Sequence, residues 1–140
     1  MKNFIALASF ITLIASSAVA SAAENPDGKW QMGNLTISVR HCGGELLCGN
    51  IVSLGARLNP DGTEKLDWKN PNPELRKRHV VGIPIFQGMA PNGPNKWKGV
   101  IYSADDGNTY RSYATVNGSN MDVQGCWGPF CKTLKFVRVQ

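Results

Sequence analysis

Beyond residue 22, no stretch of ten or more residues repeats its apolar side chains with a period of 3.6, whereas several repeat with a period of two. Leu35, Ile37 and Val39, for example, alternate with Thr36, Ser38 and Arg40. Such alternation puts one side of an extended strand on a core and the other in water, so the chain is confined to β architectures. Turn clusters punctuate the extended runs: His41-Cys42-Gly43-Gly44-Glu45, Asn59-Pro60-Asp61-Gly62, Pro91-Asn92-Gly93-Pro94-Asn95, Ala104-Asp105-Asp106-Gly107-Asn108 and Asn117-Gly118. Strands are expected to begin near residues 29, 35, 46, 83, 97, 109, 120 and 133, about eight in all and mostly joined by hairpins. That order suits an all-β fold, a single small antiparallel up-and-down barrel, since closure removes exposed edges. A two-sheet β-sandwich is the alternative. Gly49 is expected at a bulge, and Pro84, which lacks a donor, at a strand start or edge.

The front of the chain reads differently. Lys2 precedes an uncharged run from Phe4 to Ala20, which gives way to the small residues of Ala18-Val19-Ala20-Ser21-Ala22. This is the pattern of a secretory signal peptide over residues 1–22, cleaved after Ala22 or, second, after Ala20. Export to the periplasm follows, with no stable membrane span left after cleavage. Removing 22 of 140 residues leaves 118, residues 23–140, enough for one barrel domain. Only Lys2 is lost among charged residues, so the net charge falls from +5 to +4. The basic clusters Arg76-Lys77-Arg78 and Lys96-Trp97-Lys98 would meet anionic envelope components there, not nucleic acid; their ordinary reading is a solvated cationic face.

Four cysteines, Cys42, Cys48, Cys126 and Cys131, form two close pairs in sequence. In an exported chain an even count indicates disulfides. Three connectivities exist, and the short separations favour Cys42 with Cys48 and Cys126 with Cys131. A four-thiolate zinc site is the competing reading; the spacings strain it and an oxidising compartment opposes it, so no metal is assigned.

The long non-repetitive stretch from Asp67 to Gly82 is expected to form a structured loop. Pro71 and Pro73 force Asn70 and Asn72 out of the helical region, and Glu74 to Arg78 has room for a single turn. Asn70 and Asn72 are expected to cap backbone groups, and Leu75 with Val80-Val81 to anchor the loop over one barrel end. Arg76 is expected to brace carbonyls or an acid such as Asp67, with Arg78 solvated. Alternatively, one of these arginines offers its planar fork to a carboxylate or phosphate.

Catalytic motifs are missing from the sequence: there is no Gly-x-Ser-x-Gly elbow, no His-Glu-x-x-His and no phosphate-cradling glycine loop. His41 adjoins Cys42, but neighbours on a strand point to opposite faces. Asp105-Asp106-Gly107-Asn108 reads as a tight turn, not a calcium loop. No catalytic residue and no cofactor is therefore assigned. Most of the aromatics must form core, and the rest can line a small pocket. The candidate ligand-binding residues are Asn70, Arg76 and Arg78 from the loop, with Trp30, Tyr102 and Tyr110 from the strands.

A series of short motifs runs through the chain in order: Gly28-x-Trp30, Leu47-Cys48-Gly49-x-Ile51-Val52, Asn70 to Gly82, Gly99-x-Ile101-Tyr102, Asp106-Gly107-x-Thr109-Tyr110, Gly125-Cys126-x-Gly128-x-Phe130-Cys131, and Arg138. In this order they resemble the bacterial DUF2147 family. The resemblance spans nearly all of the exported part and implies a small lipocalin-like β-barrel without implying an activity. One departure is Phe136-Val137-Arg138, where the family usually has Trp before Thr-Arg; another is Trp68-Lys69, at a position the family leaves loose. The leading functional expectation is a non-enzymatic periplasmic barrel that binds a small molecule or an anionic envelope component in or at its mouth. A protein-interaction module using the Asn70 to Gly82 loop comes second, and a hydrolase of cell-wall or lipid substrates third.

Overall fold

The computed structural model describes residues 23–139, so the leader expected over residues 1–22 lies outside the described residues. Eight strands follow one another: β1 Gly28–Met32, β2 Leu35–Gly43, β3 Leu46–Leu54, β4 Pro84–Pro91, β5 Lys96–Ser103, β6 Asn108–Asn117, β7 Asn120–Trp127 and β8 Phe130–Val139. Each pairs antiparallel with the next, and β8 returns to β1, closing the barrel. The sandwich alternative is thereby excluded. Among the described residues no helix is long and apolar enough to cross a membrane.

Alternation decides what enters the barrel. On β6, Ser112, Ala114 and Val116 are buried while Arg111 and Asn117 are exposed; on β7, Met121 and Val123 are buried and Gln124 is exposed. Trp30, Ile37, Leu47, Phe86, Met89, Met121, Val123 and Phe136 are sealed from solvent and give the barrel a filled core. Fully burying one such side chain contributes about 1.5–3 kcal/mol, so this interior dominates stability. Gly49 pairs with both Val39 and Phe86, and the register does shift beside it. Its missing side chain has a further use: a Cβ there would lie 2.9 Å from the Phe86 ring.

An up-and-down order sorts the connections to two ends. The β1–β2, β3–β4, β5–β6 and β7–β8 connections share one, the loop end. Residues 23–27, the other three turns and the C-terminus share the second. Both local disulfides form, Cys42–Cys48 beside the β2–β3 turn and Cys126–Cys131 between register partners of β7 and β8.

Candidate functional site at the loop end

The β3–β4 connection is ordered by its own asparagines. Asn70 Oδ1 accepts from the Asn72 amide at 2.9 Å, and Asn72 Oδ1 accepts from the Glu74 amide at 3.0 Å, capping a single 3-10 turn over Pro73–Leu75. Both asparagines precede a proline, which holds them extended and aims their side chains forward along the chain. The segment then doubles back, with the Asp67 amide bonded to the Arg78 carbonyl at 3.0 Å and Val80 to Lys65 at 3.0 Å.

A buried polar network joins this loop to the barrel. Asp67 is sealed from solvent, and Asn70 and Tyr102 are nearly so. The Tyr102 hydroxyl donates to Asp67 Oδ1 at 2.6 Å, while Asn70 Nδ2 donates to Asp67 Oδ2 at 2.8 Å and to the Tyr102 oxygen at 3.0 Å. Arg78 completes the set, with Nε 2.9 Å and Nη2 2.8 Å from Asp67 Oδ2 and its guanidinium 5.6 Å from the Tyr102 ring centre. A buried carboxylate without these donors would be expensive, which is why the network is complete. Burial and the neighbouring Asp67 carboxylate push the Tyr102 hydroxyl pKa up, outweighing the opposing pull of Asn70 and Arg78. Tyr102 follows the core residue Ile101, so it leaves β5 on the opposite side; its burial means that the loop covers the outside of the rim there.

Arg76 braces a carbonyl, as expected, but Arg78, expected in solvent, takes the acid. Exposed Arg76 donates from Nε to the Asn70 carbonyl at 2.7 Å and so braces the loop itself. Arg78 meets Asp67 because the turn at Pro73–Leu75 carries the chain back so that residue 78 returns beside residue 67. Leu75 points outward, 37% exposed, while Val80 packs against the core.

The loop also rests on the β5–β6 turn. Lys69 Nζ donates to the Asp105 carbonyl at 2.6 Å, and a Cβ on Gly107 would lie 2.0 Å from the Lys69 carbonyl oxygen. Gly107 has φ +75°, so both its backbone and its contact require glycine. Asp106 on this turn accepts from the Tyr110 hydroxyl. Burial alone would raise the Asp106 pKa, but hydrogen bonds from Tyr110 and from Asn108 hold it below the ordinary value; Tyr110 is raised in turn, first by that same bond.

Beyond the loop, the rim is aromatic. Tyr110 stands 6.0 Å from Trp127, ring centre to ring centre, tilted by 56°. By alternation Tyr110 shares the inward side with Ser112 and Ala114, and Trp127 with Val123 and Gly125, yet Trp127 is 67% exposed. Below them runs a row of small residues across three strands, Gly99 opposite Ser112 and Ser112 opposite Gly125. Ser112 Oγ is buried and meets no hydrogen-bond partner among the described residues.

Of the candidate ligand residues, the structure brings Asn70, Arg78 and Tyr102 into one network, with Arg76 against it and Tyr110 on the adjoining hairpin. Trp30 belongs to the other end. There its ring is sealed, its Nε1 donates to the Pro26 carbonyl at 2.9 Å, and the Arg138 guanidinium lies 4.2 Å over it while donating to the Asp27 and Asn25 carbonyls. Gly28 leaves room for that guanidinium, since a Cβ would meet Arg138 Nη1 at 2.9 Å. Asp67, expected as a partner of Arg76, is instead the hub for Tyr102, Asn70 and Arg78, and two residues emerge that the sequence did not single out for the rim, the exposed aromatics Trp127 and Phe130. The signal for the last two was present, because side chains flanking Gly128-Pro129 inside a six-residue cysteine loop have no core to enter.

Comparison with known proteins agrees with this geometry. One solved structure, a Helicobacter pylori protein titled "Protein HP1028 from the human pathogen Helicobacter pylori belongs to the lipocalin family", superposes with a TM-score of 0.68 at 24% identity, over 81% of this chain and 82% of that one. At that identity the likeness establishes a lipocalin-like fold. No curated protein matches in sequence. Residues 24–138 match the family described as an uncharacterized protein conserved in bacteria, and the chain therefore belongs to DUF2147.

Proposed function

We propose that this is an exported, periplasmic barrel that binds a small amphiphilic or anionic envelope molecule at its loop end, without catalysing a reaction on it. The observation that carries the reading is the inward-side pair of half-buried Tyr110 and exposed Trp127, one rung above the small-residue row that contains Ser112, whose Oγ has no hydrogen-bond partner among the described residues. Aromatic walls with one convergent polar group are what a small ligand site requires. The filled interior below argues for a shallow ligand at the mouth, not one threaded along the barrel axis. Asn70, Arg78 and Tyr102 hold the loop beside the mouth, and exposed Arg76, which commits Nε to the Asn70 carbonyl, suits a carboxylate or phosphate with the rest of its fork. Trp30 takes no part in this site.

Two disulfides and membership of a bacterial family fit an exported protein. An open groove on the outside of β5, β6 and β7, lined by Lys96, Tyr113, Asp122 and Gln124 among others, lacks the aromatic walls of the mouth. Native mass spectrometry of protein purified from its own cell envelope tests the reading. A bound small molecule that is lost on Tyr110→Ala is the expected result; a ligand-free spectrum, or retention by that variant, overturns it.

A further inference from the structure

The β7–β8 hairpin places Gly128-Pro129 between two large apolar side chains that oppose each other in register, Trp127 and Phe130, exposed to 67% and 79%. Turns of water-soluble domains are ordinarily polar, and an adjacent pair of exposed aromatics marks a contact surface. The pair has no route into the core. The next register partners are Cys126 and Cys131, whose disulfide holds the two strands together immediately behind the tip.

Three further features say what the tip contacts. It is convex, a two-residue turn flanked by rings, so it offers no cleft for a sugar or an extended peptide. Its backbone is largely provided for within the protein: Trp127 and Phe130 are ladder partners, Pro129 has no N–H, and the Gly128 carbonyl accepts from Arg111 Nη2 at 3.0 Å. That lowers the desolvation cost of moving the tip into a less polar medium. Cations lie just behind it. Arg111 sits under the turn, Lys132 follows Cys131, and Lys69 stands at the same barrel end beside exposed Trp68. The adjoining turn carries two exposed carboxylates, Asp105 and Asp106, which oppose these cations. Aromatic rings at the boundary of a bilayer, with arginine and lysine reaching its phosphates, are the arrangement by which proteins seat themselves at a lipid headgroup layer.

We propose that the Trp127–Phe130 tip docks into the headgroup layer of an anionic phospholipid bilayer, holding the loop end of the barrel against the membrane. The proposal shares its barrel end with the ligand reading but does not depend on a ligand being bound.

The test uses the full exported chain with both disulfides intact and vesicles of phosphatidylethanolamine with phosphatidylglycerol, compared with vesicles of phosphatidylcholine alone. Co-sedimentation with the anionic vesicles, weakened by salt, is expected. In a Trp68→Phe background, where Trp127 is the exposed indole, its emission shifts to the blue on binding. Trp127→Ser with Phe130→Ser lowers vesicle affinity by about tenfold or more while the melting point is kept, and Lys132→Gln weakens binding to the anionic vesicles. Absence of sedimentation, or sedimentation of the double variant like the parent, overturns the proposal. So does a cross-linked protein partner lost in the double variant when vesicles are ignored, since the tip is then a protein contact. Native mass spectrometry on the same samples separates the two ideas: a retained ligand without vesicle binding sinks only the docking, and vesicle binding without a ligand sinks only the proposed function.

Discussion

The Tyr102 hydroxyl and the Asp67 carboxylate, 35 residues apart in the chain, meet at 2.6 Å where no solvent reaches, and through them the β3–β4 loop is fixed to β5. Asp67 is the hub, since Asn70 and Arg78 converge on its other oxygen.

Replacing the hub should therefore cost more than replacing any one of its donors. Asp67→Ala leaves Tyr102, Asn70 and a half-buried Arg78 without their acceptor, and a loss of about 2–4 kcal/mol is expected in urea unfolding. Tyr102→Phe removes one bond and should cost about 1–1.5 kcal/mol. Equal effects from the two would show that Asp67 is not the centre of the network.

The raised Tyr102 pKa gives the fold an alkaline limit. Because the folded value lies above the unfolded one, the protonated hydroxyl contributes stability in full below the ordinary tyrosine pKa of about 10. That contribution disappears as pH rises from there through the folded value. Melting temperature measured across this range should fall more steeply for the parent than for Tyr102→Phe, which has no proton to lose at this position.

Two glycines with positive φ separate strain from collision. Gly118, φ +59°, has open space where a Cβ would stand, so Gly118→Ala should cost only about 1–2 kcal/mol for the left-handed backbone. At Gly107 the same substitution also drives a methyl group into the Lys69 carbonyl. Gly107→Ala should therefore displace the loop as well as destabilise the barrel, and limited proteolysis between residues 67 and 80 reads that displacement directly. Protection equal to the parent's would mean that the loop does not depend on this contact.

At the other end, Arg138→Ala removes the stack on Trp30 and two carbonyl contacts together. A loss of about 2–3 kcal/mol is expected, with release of residues 23–27. Lysine should restore little of it, because a point charge cannot stack flat and donate to two carbonyls at once. Thermal unfolding of Arg138→Ala and Arg138→Lys side by side checks this; full rescue by lysine would show that charge alone is sufficient.

Serine at both Cys126 and Cys131 should lower stability by about 2 kcal/mol, the chain-entropy value for so short a loop. Chemical unfolding with the other disulfide intact measures it, and a much larger loss would indicate that the bridge sustains the β7–β8 pairing itself.

What was legible in the sequence was whatever is local. Strand starts near 35, 46, 83 and 120 follow from alternation and turn residues within a few positions, and the two disulfides from short separations. The caps made by Asn70 and Asn72 were readable for the same reason, each acting two residues onward. The partnership of Asp67 with Tyr102 and Arg78 was not, because it depends on where the doubled-back loop lands on a sheet formed elsewhere in the chain. Residue type alone does not sort Trp127 and Phe130 from the core aromatics; the geometry that keeps them outside is that of the hairpin as a whole.

The place where β8 meets β1 has a meaning for how the molecule assembles. Among the described residues only Val137, Arg138 and Val139 pair across that seam, whereas β7 and β8 align along their whole length. Neighbouring hairpins can form early because their partners are close in sequence, but the seam must join the two ends of the chain and recovers few hydrogen bonds for that long closure. The barrel is thus built as a curling sheet that shuts last along this long-range seam. Arg138, lying over Trp30 at that line, works as a latch, and the amides of Val137 and Val139 should be among the first in the sheet to exchange when it lifts, whereas the Arg138 amide, bonded to the Ser119 carbonyl at 2.8 Å, stays protected.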